Sequence, residues 1–112
     1  MSFEILNHDD PKWLCYYKRL NKHRCDIFYH PGFAKVCQNS IYPNYQVQCG
    51  AWNTKKGVVL YPFVLRQLTI PSSSPIKDIT GLYGRGGLTL DINDPLEINA
   101  FYIAFKDFCL EQ

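Results

Sequence analysis

The chain has 112 residues, of which 46% are hydrophobic and 20% charged, with a net charge of +2. This is one domain's worth of sequence, able to bury roughly 65% of its extended surface, and its composition excludes a disordered chain. So small a net charge gives no reason to expect DNA or another polyanion as partner, and the longest apolar run, Val58 to Leu65, falls far short of the ~18 residues of a membrane span.

Taken in chain order, the N-terminal MSFEILNHDD is acidic and lacks a basic segment followed by an apolar one, so no signal peptide is legible. Asp10-Pro11 is a cap followed by proline at the first helical position. It predicts a helix with Trp13, Tyr17 and Leu20 turned inward and Lys18, Arg19 and Lys22 outward. With Arg24 these cations form the one basic cluster, placed where they complement a negative helix end. Cys25 to Tyr29, CDIFY, predicts a short strand. Pro31 opens a second helix, with Phe33, Val36 and Cys37 on one face, that frays by Ser40-Ile41. His30 is expected as its cap.

The middle of the chain reads as β-structure. Tyr45, Val47, Cys49 and Ala51 alternate with Gln46, Gln48 and Gly50, the period of a half-buried strand. Asn53 to Gly57 predicts a turn, so that Val58 to Leu68 returns antiparallel as a hairpin. That second strand is apolar on both faces and is expected to run centrally. Pro62 cannot donate to a ladder, which predicts a bulge or one unpaired side there. After the loop PSSSP, Pro71 to Pro75, comes a third strand at Lys77 to Thr80, and Leu88 to Ile92 is extended again. Asp94-Pro95-Leu96-Glu97 is a strong helix start, with a cap, a proline and a capping-box glutamate. Ile98, Phe101, Phe105 and Phe108 form its apolar stripe, with Ala104 between. The pattern is still strong at Gln112, so the chain is expected to be a fragment with an exposed apolar patch.

The five cysteines, Cys15, Cys25, Cys37, Cys49 and Cys109, are an odd set with no CxxC spacing. No histidine pair accompanies them. This argues against a disulfide framework and a zinc site, and for reduced thiols in a cytoplasmic protein. His8, His23 and His30 stand in no HxxxH or HExxH pattern. Among the carboxylates, Asp94 is explained as a cap and Asp91 as exposed, whereas Asp78 leads toward the glycines that follow. Asp78 is read either as an acid–base group or as an acceptor that holds the turn. Trp52 and Tyr83 are candidates to stack on a sugar ring, or simply core.

Gly81, Gly84, Gly86 and Gly87 place four glycines in seven residues, flanked by Tyr83 and Arg85. Glycine lets a backbone reach positive φ and approach a ligand closely. A phosphate loop passes from strand directly into helix, whereas here LTLDIND intervenes before Pro95. The spacing argues against a phosphate site, and that reading stands behind a substrate-facing loop and a purely structural turn.

The order of these motifs carries a resemblance. Trp13-Leu14, the run Asp26 to Pro31, the hairpin, Tyr61-Pro62-Phe63, Asp78-Ile79-Thr80 and then Tyr83-Gly84-Arg85-Gly86-Gly87 together resemble the N-terminal half of the FemAB-like branch of the GNAT acyltransferases. Arg85 stands where that family more often has an aromatic residue, and Leu88 where proline usually follows. The resemblance implies an α+β, GNAT-like fold: a mostly antiparallel sheet of four or five strands flanked by helices, one subdomain over residues 1–112 of a longer tandem chain. It implies an N-acyltransferase that moves an acetyl or aminoacyl group to an amine on a cell-envelope sugar or peptide. The donor, acetyl-CoA or aminoacyl-tRNA, would be held largely by a C-terminal GNAT-like half. The implied acceptor-side residues are Tyr83, Gly84, Arg85, Gly86, Gly87 and Asp78, with no metal and no catalytic residue assigned. The alternative is a non-catalytic ligand- or protein-binding module of the same fold.

Overall fold

The computed structural model describes residues 2–20, 27–55, 57–68, 76–80, 89–90 and 94–111. They form five strands, β1 (Ser2–Asn7), β2 (Gln46–Thr54), β3 (Gly57–Leu68), β4 (Ile76–Thr80) and β5 (Thr89–Leu90), and three helices, α1 (Pro11–Lys18), α2 (Pro31–Ser40) and α3 (Pro95–Leu110). The sheet runs β1-β2-β3-β4 with β5 also on β3, and every pairing is antiparallel. The fold is α+β, an antiparallel sheet with helices on both faces.

β3 is central because both its faces are buried. Val58, Leu60 and Val64 turn toward α1 and α2, where they join Trp13, Ala34 and Cys37 in one core. Val59, Phe63 and Leu65 turn the other way, toward Phe101 and Phe105 of α3. Two-sided burial of this kind is what a near-continuous apolar strand encodes. The β2–β3 hairpin closes between Thr54 and Gly57, tighter than the turn expected over Asn53 to Gly57. Gly57 holds a φ of 148°, a conformation open to glycine and strained for any other residue.

All three helix starts fold as their sequences predict. Lys12 N–H donates to Asp10 Oδ1 (2.9 Å), Gly32 N–H to His30 Nδ1 (2.8 Å) and Leu96 N–H to Asp94 Oδ1 (3.0 Å), each before a proline at the start of its helix. Each acceptor satisfies one of the orphan amides of a first turn. Glu97, at the capping-box position, accepts a hydrogen bond from Trp52 Nε1 (2.9 Å) and so ties α3 to β2. On α1 Trp13 and Tyr16 are buried and Tyr17 is half-buried against the same core, with Leu20 just beyond the helix also buried. On α2 it is Ala34 and Cys37, while Val36 is exposed.

Two segments depart from the sequence reading. The strand expected over Cys25 to Tyr29 is, over its described part, a single 3-10 turn at Ile27–Tyr29. Its carbonyls are committed elsewhere: His30 N–H donates to Ile27 O (3.0 Å) and Trp13 Nε1 to Tyr29 O (2.8 Å). The N-terminal segment, read from sequence only for its lack of a leader, is strand β1 at the edge beside β2. Phe3 and Ile5 pack under α3, and Leu6 faces the opposite core.

The pairing on the far edge of β3 accounts for Pro62. Register with β2 is unbroken from Gln46↔Leu65 to Thr54↔Gly57, so there is no bulge. On the other side β4 pairs with Val64 to Leu68 and β5 with Val59 and Leu60. Pro62 falls in the gap, where no described strand asks it for a donor. β4 and β5 run in the same direction along β3. They are two pieces of one edge strand, and the sequence between them is 81–88.

Candidate functional site

Asp78 is the one proposed site residue inside the described regions; Tyr83, Gly84, Arg85, Gly86 and Gly87 lie outside them, as does Asp91. On β4, Asp78 stands directly opposite Arg66 of β3. The guanidinium makes a two-pronged contact, Nε to Oδ1 at 2.9 Å and Nη2 to Oδ2 at 2.5 Å. This planar fork-to-carboxylate match is the strongest form of an ion pair. The Arg66 hydrogen bonds hold the Asp78 carboxyl below its ordinary range, against a smaller opposing effect of burial, and raise Arg66 in turn. A carboxylate stabilised in its charged form is a poor proton acceptor near neutral pH. Asp78 thus acts as a cross-strand clamp, and the ion pair works against a role as base. Among the described residues its side-chain partner is Arg66 of the neighbouring strand.

That assignment has a direct check. The Asp78 carboxyl should titrate below its ordinary 3.8 by NMR, and Arg66→Met should move it up toward that value. Because the folded pKa is depressed, the pair's contribution to stability is present above the unfolded value and is lost as pH falls through the folded one. Both groups are about one-third exposed, so the contribution is small. An unchanged titration in Arg66→Met would dissolve the clamp.

Around this clamp the end of the sheet forms a groove. Leu65, Lys77, Asp78, Ile79 and Cys109 line a cavity of about 210 Å³ beside α3. Asn44, Tyr45, Gln46, Leu65, Gln67 and Lys77 line another of about 140 Å³. The two are separate hollows with Leu65 and Lys77 as common walls, and are together termed the trough. Three side-chain amides and one exposed ammonium give it donors and acceptors for a polar ligand bearing carbonyl or carboxylate groups. Burial pushes the Cys109 thiol above its ordinary range, which leaves it a weak nucleophile. Sequence reading missed the trough because its walls come from four separate stretches of the chain.

Several other polar groups have structural explanations, whereas His8 Nδ1 and Gln48 Oε1 are buried without a hydrogen-bond partner among the described residues. Tyr16 donates to Glu4 Oε1 (2.6 Å), and Lys12 Nζ bonds Glu4 Oε2 (3.0 Å). Burial first, and then this carboxylate, push Tyr16 up to about 12, so it stays a donor that fixes α1 to β1. Arg19 reaches Asn53 Oδ1 and Thr54 O (2.9 Å for the latter), which spends the helix-end cation on the hairpin. Trp52 is buried in the core and is no stacking platform. Cys37 and Cys49 are buried free thiols, whereas Cys15 is exposed. Among the described residues no three of His, Cys, Asp and Glu converge where a metal could sit, and no helix is long and apolar enough to cross a membrane. Compared with known proteins, the chain matches no family model, no curated protein and no solved structure.

Proposed function

We propose that this chain is the acceptor-side part of a GNAT-like N-acyltransferase, acting on an amine of a sugar or peptide of the cell envelope. The observation that carries the reading is the edge of β3. β4 and β5 pair with it on either side of Tyr61-Pro62-Phe63, and Tyr83-Gly84-Arg85-Gly86-Gly87 is the sequence that connects them. The trough at Lys77 opens at the far end of the same strand pair. In the proposed reaction the acceptor nitrogen attacks the acyl carbonyl of acetyl-CoA or an aminoacyl-tRNA. The C–N bond forms, the thiolate or ribose oxygen departs, and the amine loses a proton. Lys77 next to the trough favours the neutral, nucleophilic form of an incoming amine, because like charges disfavour each other. Arg85 would hold a carboxylate or phosphate of the acceptor with its planar fork. Residues of the second GNAT-like half would hold the donor.

The test is acyl transfer to amino sugars and cell-wall peptides, followed by mass spectrometry, for the 112-residue chain alone and joined to its downstream sequence. In the longer form, Arg85→Ala should raise the acceptor KM by about tenfold or more and leave the donor KM and Tm nearly unchanged. Acceptor kinetics indifferent to Arg85→Ala would move the site away from the glycine segment. The other reading, a non-catalytic binding module, is favoured by the locking of Asp78 in an ion pair. It would be established by micromolar ligand binding to the 112-residue chain, unchanged in the longer form and with no transfer in either.

A further inference from the structure

α3 is apolar on both sides. Its inner side, with Phe101 and Phe105, is buried against the sheet. Its outer side leaves Leu96 81%, Ile103 54% and Leu110 75% exposed. Leu96 and Leu110 each lie one heptad from Ile103, so the three form a row along the helix with Ile103 at its centre, about 10 Å from either neighbour. A row that reads the same in both directions suits an antiparallel pair of identical helices, in which each patch must complement itself.

We propose that the outer face of α3 is the interface of a homodimer, with a second copy packed antiparallel and the two-fold axis passing beside Ile103. Leu96 then meets Leu110 of the second copy, and Ile103 meets its own equivalent. The borders of the row fit the same arrangement. Asn99 and Lys106 lie along one side of it, Ala100 and Asp107 along the other. The two-fold operation keeps each side facing its own kind. Lys106 therefore comes beside the Asn99 amide of the second copy, and Asp107 beside the small Ala100. Like charges across the axis stay about 10 Å apart, near the screening length of physiological salt. A single helix face buries less than the ~800 Å² per partner of a standard interface, so the dimer should be weak, with a Kd on the order of 10–100 μM. The inference does not rest on the transferase reading.

Sedimentation velocity from about 5 μM to about 1 mM should show a monomer passing into a dimer over that range. Ile103→Lys should remain monomeric throughout with an unchanged circular dichroism spectrum, since residue 103 is on the surface and its substitution leaves both cores intact. In a Cys15→Ser background, Ile103→Cys should oxidise to a disulfide-linked dimer, because only a residue on the axis meets itself. Leu96→Cys should cross-link quickly only when mixed with Leu110→Cys. A wild-type chain that is monomeric to about 1 mM would overturn the proposal. A dimer that survives Ile103→Lys, or one in which Leu96→Cys self-links faster than Ile103→Cys, would overturn it equally.

Discussion

Phe101→Ala should destabilise the chain by about 3–5 kcal/mol, the range for removing a fully buried phenylalanine. The Phe101 ring is completely buried and lies 5.9 Å from Phe105, stacked at an interplanar angle of 8°, and 5.9 Å from Phe3 of β1. It joins α3 to both the sheet centre and its edge, so the cavity left behind has rigid walls on two sides. A domain of this size has about 5–15 kcal/mol in total, so the variant should unfold close to physiological temperature. Urea titration by circular dichroism reads the effect as a fall in midpoint at constant slope. A loss under about 1 kcal/mol would mean that α3 is not seated on the sheet as described.

Gly50→Val should cost about 2–3 kcal/mol through overpacking. Gly50 is buried in β2 beneath α3, where an added Cβ would lie 3.3 Å from Phe105 Cδ1, 3.4 Å from Cε1 and 3.6 Å from Phe3 Cε1. Alanine needs the Phe105 ring to yield by a few tenths of an ångström; the two further methyls of valine have no such room. Phe105→Leu in the Gly50→Val background should recover part of the loss, a coupling that the four corners of a double-mutant cycle measure. If the two substitutions add without coupling, the close approach of helix and strand at Gly50 is wrong.

The features that the sequence made legible are those encoded locally. The caps at Asp10, His30 and Asp94 each act on an amide two residues ahead, so a short window contains the whole interaction. The central position of β3 was legible too, because Val58 to Leu65 carries apolar groups on both faces within one strand. What was missed depends on distant partners. Phe3 and Ile5 of β1 are covered by α3, about a hundred residues away in the chain, and Leu6 by the opposite core. CDIFY has strand-forming residues, yet the Trp13 indole takes the Tyr29 carbonyl. The pairing of Asp78 with Arg66 required the β3–β4 register, which neither strand specifies alone. The trough at Lys77 draws on residues 44–46, 65–67, 77–79 and 109, and no spacing rule joins those. The glycine segment, most conspicuous in the sequence, lies outside the described residues.

The division of the outer strand into β4 and β5 separates length from register. Thr80 pairs with Val64 and Thr89 with Leu60, so the two clamps are four residues apart on β3, about 14 Å. Each clamp has its own ladder, and neither depends on how many residues connect them. Insertions, deletions and wholesale exchange of 81–88 are therefore expected to leave both ladders in register. Register belongs to the frame, and the connection is free to vary in length and composition.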